Sequence, residues 1–126
     1  MPTLHLKVAP LQNPERYETL AAALTRITAD TLGKRAAVTA VTIDDLPAAR
    51  WYVGGQAVQR PAAILEITVT SGTNTPAQKA AFVQAAFAEL RRQLAAGGEL
   101  EEASYVTVRE VPATDWGYGG VTQHDR

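Results

Sequence analysis

Few side chains in this sequence are equipped for covalent or acid–base chemistry, and the short supply narrows the choice. There is no cysteine, which removes a disulfide framework, a thiolate nucleophile and a thiol-ligated metal. His5 and His124 are the whole supply of imidazole, and His124 sits in a polar tail. That set is too thin for metal catalysis. Asp44-Asp45 resembles a carboxylate pair, but it precedes Pro47 at the end of a β run, and its counterpart later in the chain reads Arg109-Glu110. A solvated turn is the better reading. Gly54-Gly55 and Gly119-Gly120 have no helix signal after them, so they read as turn or interface backbone rather than phosphate cradles. The amino terminus is left. Once Met1 is removed, Pro2 begins the chain as a secondary amine. An α-amino group titrates near about pH 8, roughly two units below lysine, and burial or a nearby cation lowers it toward the value a base needs at neutral pH. A Met-Pro start is common on its own, so it acquires meaning only from the elements around it.

Those elements are organised by a repeat. Val41-Thr-Ile-Asp-Asp-Leu-Pro-Ala-Ala-Arg-Trp-Tyr-Val-Gly-Gly55 aligns without a gap to Val106-Thr-Val-Arg-Glu-Val-Pro-Ala-Thr-Asp-Trp-Gly-Tyr-Gly-Gly120, sharing Val, Thr, Pro, Ala, Trp, Gly and Gly. Identity at this density signals an internal duplication. Each copy starts as a short β run, meets a proline that no central strand tolerates, and ends in an aromatic and a Gly-Gly turn.

The remainder fits around the two copies. Thr3 to Ala9 alternates, with Leu4, Leu6 and Val8 on one side and Thr3, His5 and Lys7 on the other, which is the period of a strand. Asn13 is a good N-cap and Pro14 suits the first helical position. Tyr17, Leu20, Ala21, Leu24, Ile27 and Thr28 form one apolar stripe at helical spacing, and Gly33 is a plausible C-cap. The first repeated strand then runs from about Val38 to Ile43. Pro61 opens a second long strand, Ala62 to Thr70, and Ser71 to Asn74 is a loop. Thr75-Pro76-Ala77-Gln78 has the spacing of a capping box. Val83, Ala86, Phe87, Leu90 and Leu94 form the stripe of a second helix, stopped by Gly97-Gly98, and the second repeated strand runs from Tyr105 to Val108.

The order is therefore βαβ, βαβ. Each crossover makes a parallel pair, right-handed in nearly all cases. The expected fold is α/β (α+β): duplicated β-α-β units in a four-stranded, mostly parallel-paired sheet with two helices on one face. The expected domain is single, residues 1–126, with repeats at about 2–55 and 61–120. Two helices cover one sheet face only. The face carrying Thr3, His5 and Lys7 must meet water or another subunit, so oligomerisation through that face or the sheet edges is expected. The Gly-Gly segments would supply small edge strands or turns at those contacts, and His5 would face the oligomer interior.

A chain of 126 residues with 46% hydrophobic residues is about one domain with enough apolar material for a core. A net charge of −1 gives no electrostatic case for nucleic acid or an anionic membrane. There is no signal-peptide pattern and no apolar run of membrane-spanning length. These features predict a soluble, cytoplasmic protein.

Met1-Pro2 followed by a strand, with the duplicated βαβ unit behind it, resembles the tautomerase superfamily, whose members include 4-oxalocrotonate tautomerase, malonate semialdehyde decarboxylase, the 3-chloroacrylate dehalogenases and macrophage migration inhibitory factor. The first half, from Pro2 through Glu15, Glu18-Thr19-Leu20 and Trp51 to Gly54-Gly55, is similar to a short 4-oxalocrotonate tautomerase subunit. The second, with Thr75-Pro76-Ala77-Gln78-Lys79 and Asp115-Trp116-Gly117-Tyr118-Gly119, is similar to the decarboxylase group. The resemblance implies a homotrimer and Pro2 as the catalytic group. Pro61 stands at the equivalent place in the second half, but its nitrogen is tied up in the Arg60 peptide bond, so one active centre per chain is expected, with walls from both halves or a neighbour.

The sequence departs from the family where the family binds carboxylates. The arginines of 4-oxalocrotonate tautomerase fall at Gln12 and Ala40, the two of the decarboxylase group at Gly72 and Asn74, and its assisting aspartate at Ala36. The bidentate clamp that arginine provides is missing there, and Arg50, Arg60, Arg109 and Lys7 are the cations that could replace it from elsewhere. Thr73, Asn74 and Gln12 remain as neutral hydrogen-bonders. The aromatics are Trp116, which matches the decarboxylase pocket aromatic, Tyr118, Trp51, and Tyr105, which matches a pocket tyrosine of the macrophage factor. The resemblance implies a tautomerase that moves a proton on a small 2-keto or enol acid. Pro2 would be general base and acid; Thr73, Asn74, Tyr105, Trp116 and Tyr118 would bind the substrate, and no metal or other cofactor would take part. Decarboxylation or dehalogenation (hydration) at the same proline, or a non-catalytic trimeric binding protein, are the alternatives.

Overall fold

The computed structural model describes residues 1–126. Strand β1 (Thr3–Ala9) buries Leu4, Leu6 and Val8 and exposes Thr3, His5 and Lys7, as period-two alternation requires. Helix α1 (Pro14–Leu32) starts where the Asn13 side chain accepts the Arg16 N–H at 2.9 Å. It ends at Gly33, whose φ of 67° lets its N–H close on the Ala29 carbonyl at 3.1 Å. Strand β2 (Ala40–Asp45) begins two residues later than expected. Ala36–Val38 instead forms a 3-10 turn, in which the Val38 and Thr39 amides are used on Arg35 and Ala36. Two short hairpin strands follow, β3 (Tyr52–Val53) and β4 (Gln56–Ala57), turning through Gly54-Gly55.

The second half repeats this order. It runs through β5 (Ala62–Thr70), α2 (Pro76–Ala95), β6 (Tyr105–Val111), and a hairpin of β7 (Gly117–Tyr118) and β8 (Val121–Thr122). The capping box forms in full: Thr75 Oγ1 accepts the Gln78 N–H at 3.1 Å, and Gln78 Oε1 accepts the Thr75 N–H at 2.9 Å. Helix α2 ends one residue before the expected Gly97-Gly98, at Ala96 in a left-handed conformation. Strand β6 runs three residues beyond Val108 because its ladder with β5 continues to Thr70–Val111.

The sheet order is β2-β1-β5-β6. The outer pairs are parallel, and the central β1–β5 pair, which joins the halves, is antiparallel. Both helices pack on one face. Leu4, Leu6, Val8, Leu65, Ile67 and Val69 from the sheet meet Leu20, Leu24, Phe82, Ala86 and Leu90 from the helices. Each large side chain so removed from water stabilises the fold by roughly 1.5–3 kcal/mol. The α2 stripe is rotated from the expected one: Phe82, Ala86, Leu90 and Gln93 are the buried positions, while Val83 is exposed. Gln93 is tolerated there because it accepts from Thr19 Oγ1 at 2.8 Å and donates to Glu89 at 2.7 Å and to the Thr19 carbonyl at 3.2 Å, which ties α2 to α1. The opposite sheet face is bare, presenting Thr3, His5, Lys7, Thr42, Asp44, Glu66, Tyr105, Thr107 and Arg109. No helix is long and apolar enough to cross a membrane.

Candidate active site

Pro2 is buried. Its carbonyl accepts the Ala40 N–H at 3.2 Å, so the first residue of β2 pins the chain's beginning in place. Because β1 and β2 are parallel, the α1–β2 loop returns to the same end of the sheet and brings Lys34 and Arg35 to the amino terminus. The Met1 amine, one residue before Pro2, is held below its ordinary range by burial first, and then by the positive charges of Lys34 and Arg35. Burial also lowers Lys34.

The antiparallel β1–β5 register, ending at Thr3–Thr68, places the carboxyl end of β5 and the loop after it beside Pro2. There Thr73 Oγ1 accepts from Lys34 Nζ at 2.9 Å and donates to the Thr70 carbonyl at 2.7 Å. Asn74 Nδ2 donates to the Leu32 carbonyl at 2.9 Å and to Gln78 Oε1 at 3.1 Å, while Asn74 Oδ1 is buried with no hydrogen-bond partner. Trp116 Nε1 donates to Thr70 Oγ1 at 3.2 Å, fixing the indole at this end. A cavity of about 240 Å³ lies beside it, lined by Thr114–Gly117 and Gly120–Thr122. Gly117 is required there, since a Cβ would come within 2.0 Å of the Val121 carbonyl oxygen.

Thr73, Asn74 and Trp116 therefore gather at the Pro2 end. Tyr118 belongs to the same hairpin, but its ring lies under the Arg126 guanidinium, 3.6 Å from ring centroid to carbon. Tyr105 does not join them within one chain. It pairs with Ile64, which pairs with Lys7, at the far end of the sheet, where it is 61% exposed. Gln12 also lies far from Pro2, with its N–H on Asp45 at 2.8 Å. Of the four cations considered as a replacement clamp, only Arg109 lies at the Pro2 end of the sheet, linked through Thr68 to Thr3 in the ladder registers. Arg60 faces Glu101 at 3.9 Å, Arg109 faces Glu66 at 3.7 Å, Lys7 is on the bare face, and Arg50 precedes β3. Sequence reasoning missed Lys34 and Arg35. The signal was their place directly after the helix cap Gly33, in a loop that a parallel crossover must return to the start of β1.

Residues 2–60, the first half, match the family described as tautomerase enzyme. The whole chain superposes on a fused 4-OT from a wild-type asymmetric trimer with TM-score 0.85 and 26% identity, covering 98% of this chain and 97% of that one. The first half of the chain thus matches the tautomerase family, and the chain as a whole has the tautomerase-superfamily fold. The same fold is seen in Pt0534 inactivated by 2-oxo-3-pentynoate (18% identity, TM-score 0.85, covering 98% and 97%) and in a macrophage migration inhibitory factor-like protein from Entamoeba histolytica (17%, TM-score 0.77, covering 96% and 97%). No curated protein matches the chain.

Among tautomerase-superfamily halves joined in one chain, the two ends need not be alike, and here they differ. The Pro61 carbonyl accepts the Glu101 N–H at 2.7 Å, much as Pro2 is held by Ala40, but the Pro61 nitrogen is a tertiary amide and has no basic lone pair. Beside it Trp51, only 8% exposed, packs into a closed apolar cluster with Ala9, Val58 and Ala62. Trp116, the copy at the Pro2 end, is less buried and hydrogen-bonded. The Pro61 end carries a paired Arg60 and Glu101, whereas the Pro2 end carries Lys34 and Arg35.

Proposed function

We propose that this chain is a tautomerase in which Pro2, freed of Met1, takes a proton from an enol hydroxyl or an acidic carbon of a small 2-keto or enol acid and returns it to another carbon. The observation that carries the reading is the buried Pro2, with Lys34 and Arg35 close enough to the chain's start to lower the Met1 amine that precedes it. Burial and adjacent positive charge both favour the free amine over the ammonium, which gives a base near neutral pH. The same two cations offer a landing point for the substrate carboxylate, which keeps the acid's charge near the group that must become positive as it accepts the proton. Thr73 and Asn74 orient substrate oxygens, and Trp116 and Tyr118 form the apolar wall. Tyr105 serves a Pro2 site only across a subunit boundary, in a homotrimer like those of the fused 4-OT relatives.

The test joins mass spectrometry to turnover. 2-Oxo-3-pentynoate carries an alkyne conjugated to its ketone. A free secondary amine adds to the alkyne carbon β to that ketone, leaves no leaving group, and gains the mass of one intact reagent. Protein lacking Met1 is expected to label at Pro2 and to ketonise enol acids. Pro2→Ala is expected to lose at least a hundredfold in kcat/KM while keeping its circular dichroism, since general base catalysis contributes about that much. Unchanged turnover in Pro2→Ala defeats the mechanism. Tight binding of enol acids with no turnover in Met1-free protein defeats the enzyme reading and leaves a binding protein.

A further inference from the structure

The polar side chains of the loop between β5 and α2 have no proton left to donate to a substrate. A threonine hydroxyl carries one proton and an amide nitrogen two. The Thr73 proton is on the Thr70 carbonyl at 2.7 Å. The two Asn74 protons are on the Leu32 carbonyl at 2.9 Å and on Gln78 Oε1 at 3.1 Å, and Asn74 Oδ1 is buried. What both side chains do instead is hold the end of α1. Asn74 ties the loop to Leu32, two residues before Lys34. With its proton fixed on Thr70, Thr73 turns a lone pair to Lys34 Nζ at 2.9 Å, and it is the only hydrogen-bond partner of that ammonium. Thr70 is itself held through Oγ1 by Trp116 Nε1 at 3.2 Å. An ammonium has three N–H donors, so Lys34 keeps two for another acceptor.

The internal repeat shows that the fold does not need this link. Counted from the N-caps Asn13 and Thr75, the buried helix positions coincide: Leu20 with Phe82, Leu24 with Ala86 and Thr28 with Leu90. On that count Thr73 corresponds to Leu11, which is exposed. Counted from the C-caps Gly33 and Ala96, Lys34 corresponds to Gly97. The Pro61 end, whose proline cannot be a base, thus has neither the hydroxyl nor the ammonium, and the Pro2 end has both. We infer that Thr73 is a positioning residue: supplied by the second half, it aims the Lys34 ammonium of the first half at the carboxylate of a 2-keto or enol acid beside Pro2. The inference rests on the carboxylate landing point proposed above, and it makes Thr73 act on substrate oxygens at one remove. The same bond favours the charged lysine, since burial works against the ammonium and an acceptor on Nζ works for it.

The test uses Met1-free, full-length protein and 2-oxopentanoate, a saturated 2-keto acid, with its methyl ester as the uncharged control. Binding is followed by NMR titration, so it is measured whether or not turnover occurs. Thr73→Val keeps the size of the side chain and removes the hydroxyl. It is expected to weaken binding of the acid about tenfold, the order of one hydrogen bond, and to leave binding of the ester unchanged. Thr73→Ser is expected to bind the acid like the wild type. In a Lys34→Met background Thr73→Val is expected to add nothing, because the two side chains act as one unit. A Thr73→Val protein that binds the acid as tightly as the wild type overturns the inference. So does a loss that persists without Lys34, or one shared by the ester, since either puts Thr73 on the substrate itself. A wild type that does not bind the acid overturns it together with the landing point. The expected binding pattern without turnover of enol acids defeats the proton-transfer reading alone and leaves the positioning role in place.

Discussion

Lys34 Nζ donates to Thr73 Oγ1 at 2.9 Å, joining the loop after α1 to the loop before α2, and so one half of the duplicated chain to the other beside Pro2. Neither partner belongs to the repeated stretch. The contact exists because β1 and β5 run antiparallel, which puts the start of the first half against the end of the second half's long strand.

Lys34→Met keeps the apolar stem and removes the charge. For a carboxylate substrate kcat/KM should fall about ten- to a hundredfold, the worth of one charge-assisted hydrogen bond. The loss should appear mainly in KM, with Lys34→Arg recovering most of it. Steady-state kinetics on an enol acid and on its uncharged methyl ester, both at a pH above the amine's midpoint, separates this from a fold defect, because there the ester should be nearly indifferent to the change.

The pH profile follows from the amino terminus. With Met1 in place the α-amine is lowered by burial and by Lys34 and Arg35, and a Pro2 amine freed beside the same cations should be lowered by the same causes. Only the free base abstracts a proton, so kcat/KM should rise with pH and level off above the amine's pKa, with a midpoint below the ordinary α-amino value of about 8. Removing both cations in Lys34→Met, Arg35→Gln should move that midpoint upward, and a midpoint that stays put or falls would assign the acid limb to another group.

At the far end, the Tyr17 hydroxyl donates to Asp45 Oδ2, which also accepts the Gln12 N–H at 2.8 Å. The carboxyl is lowered, chiefly by Tyr17 and then by Gln12, and the phenol is raised, chiefly by Asp45. A lowered carboxyl contributes stability above its unfolded pKa and loses it as pH falls through the folded value. A raised phenol contributes below its unfolded pKa and loses it as pH climbs through the folded one. Tyr17→Phe should therefore flatten both limbs of the melting temperature against pH while leaving Pro2 labelling unchanged.

Core and cap should separate cleanly in urea. Phe82 is fully buried under both helices and the sheet, so Phe82→Ala should cost about 3–5 kcal/mol. Asn13→Ala removes only the acceptor for the Arg16 N–H and should cost about 1 kcal/mol. Equal losses would mean that α1 is held by its cap rather than by its packing.

Much of the fold was legible because it is written in short-range patterns. Leu4, Leu6 and Val8 alternate, Asn13-Pro14 and Thr75-Pro76-Ala77-Gln78 carry their own capping chemistry, and the repeat shows two units without any knowledge of how they meet. Phe82 was missed because helical stripes one residue apart are nearly equivalent in sequence, and only the partner surface chooses between them. The end of α2 was misplaced because Ala96, not a glycine, takes the left-handed cap.

The site divides in the same way. That Pro2 could be a base, and that Pro61 could not, follows from covalent structure and was decided by the sequence alone. Which cations stand beside Pro2 was decided by the parallel β1–β2 pairing, which returns Lys34 and Arg35 to it. Which hydrogen-bonders and aromatic join them was decided by the antiparallel β1–β5 register, which brings Thr73, Asn74 and Trp116 and leaves Tyr105 at the opposite end. Sequence separation says nothing about those distances, because they depend on strand direction and register, and these are settled only when the apolar faces of both halves close on a common core.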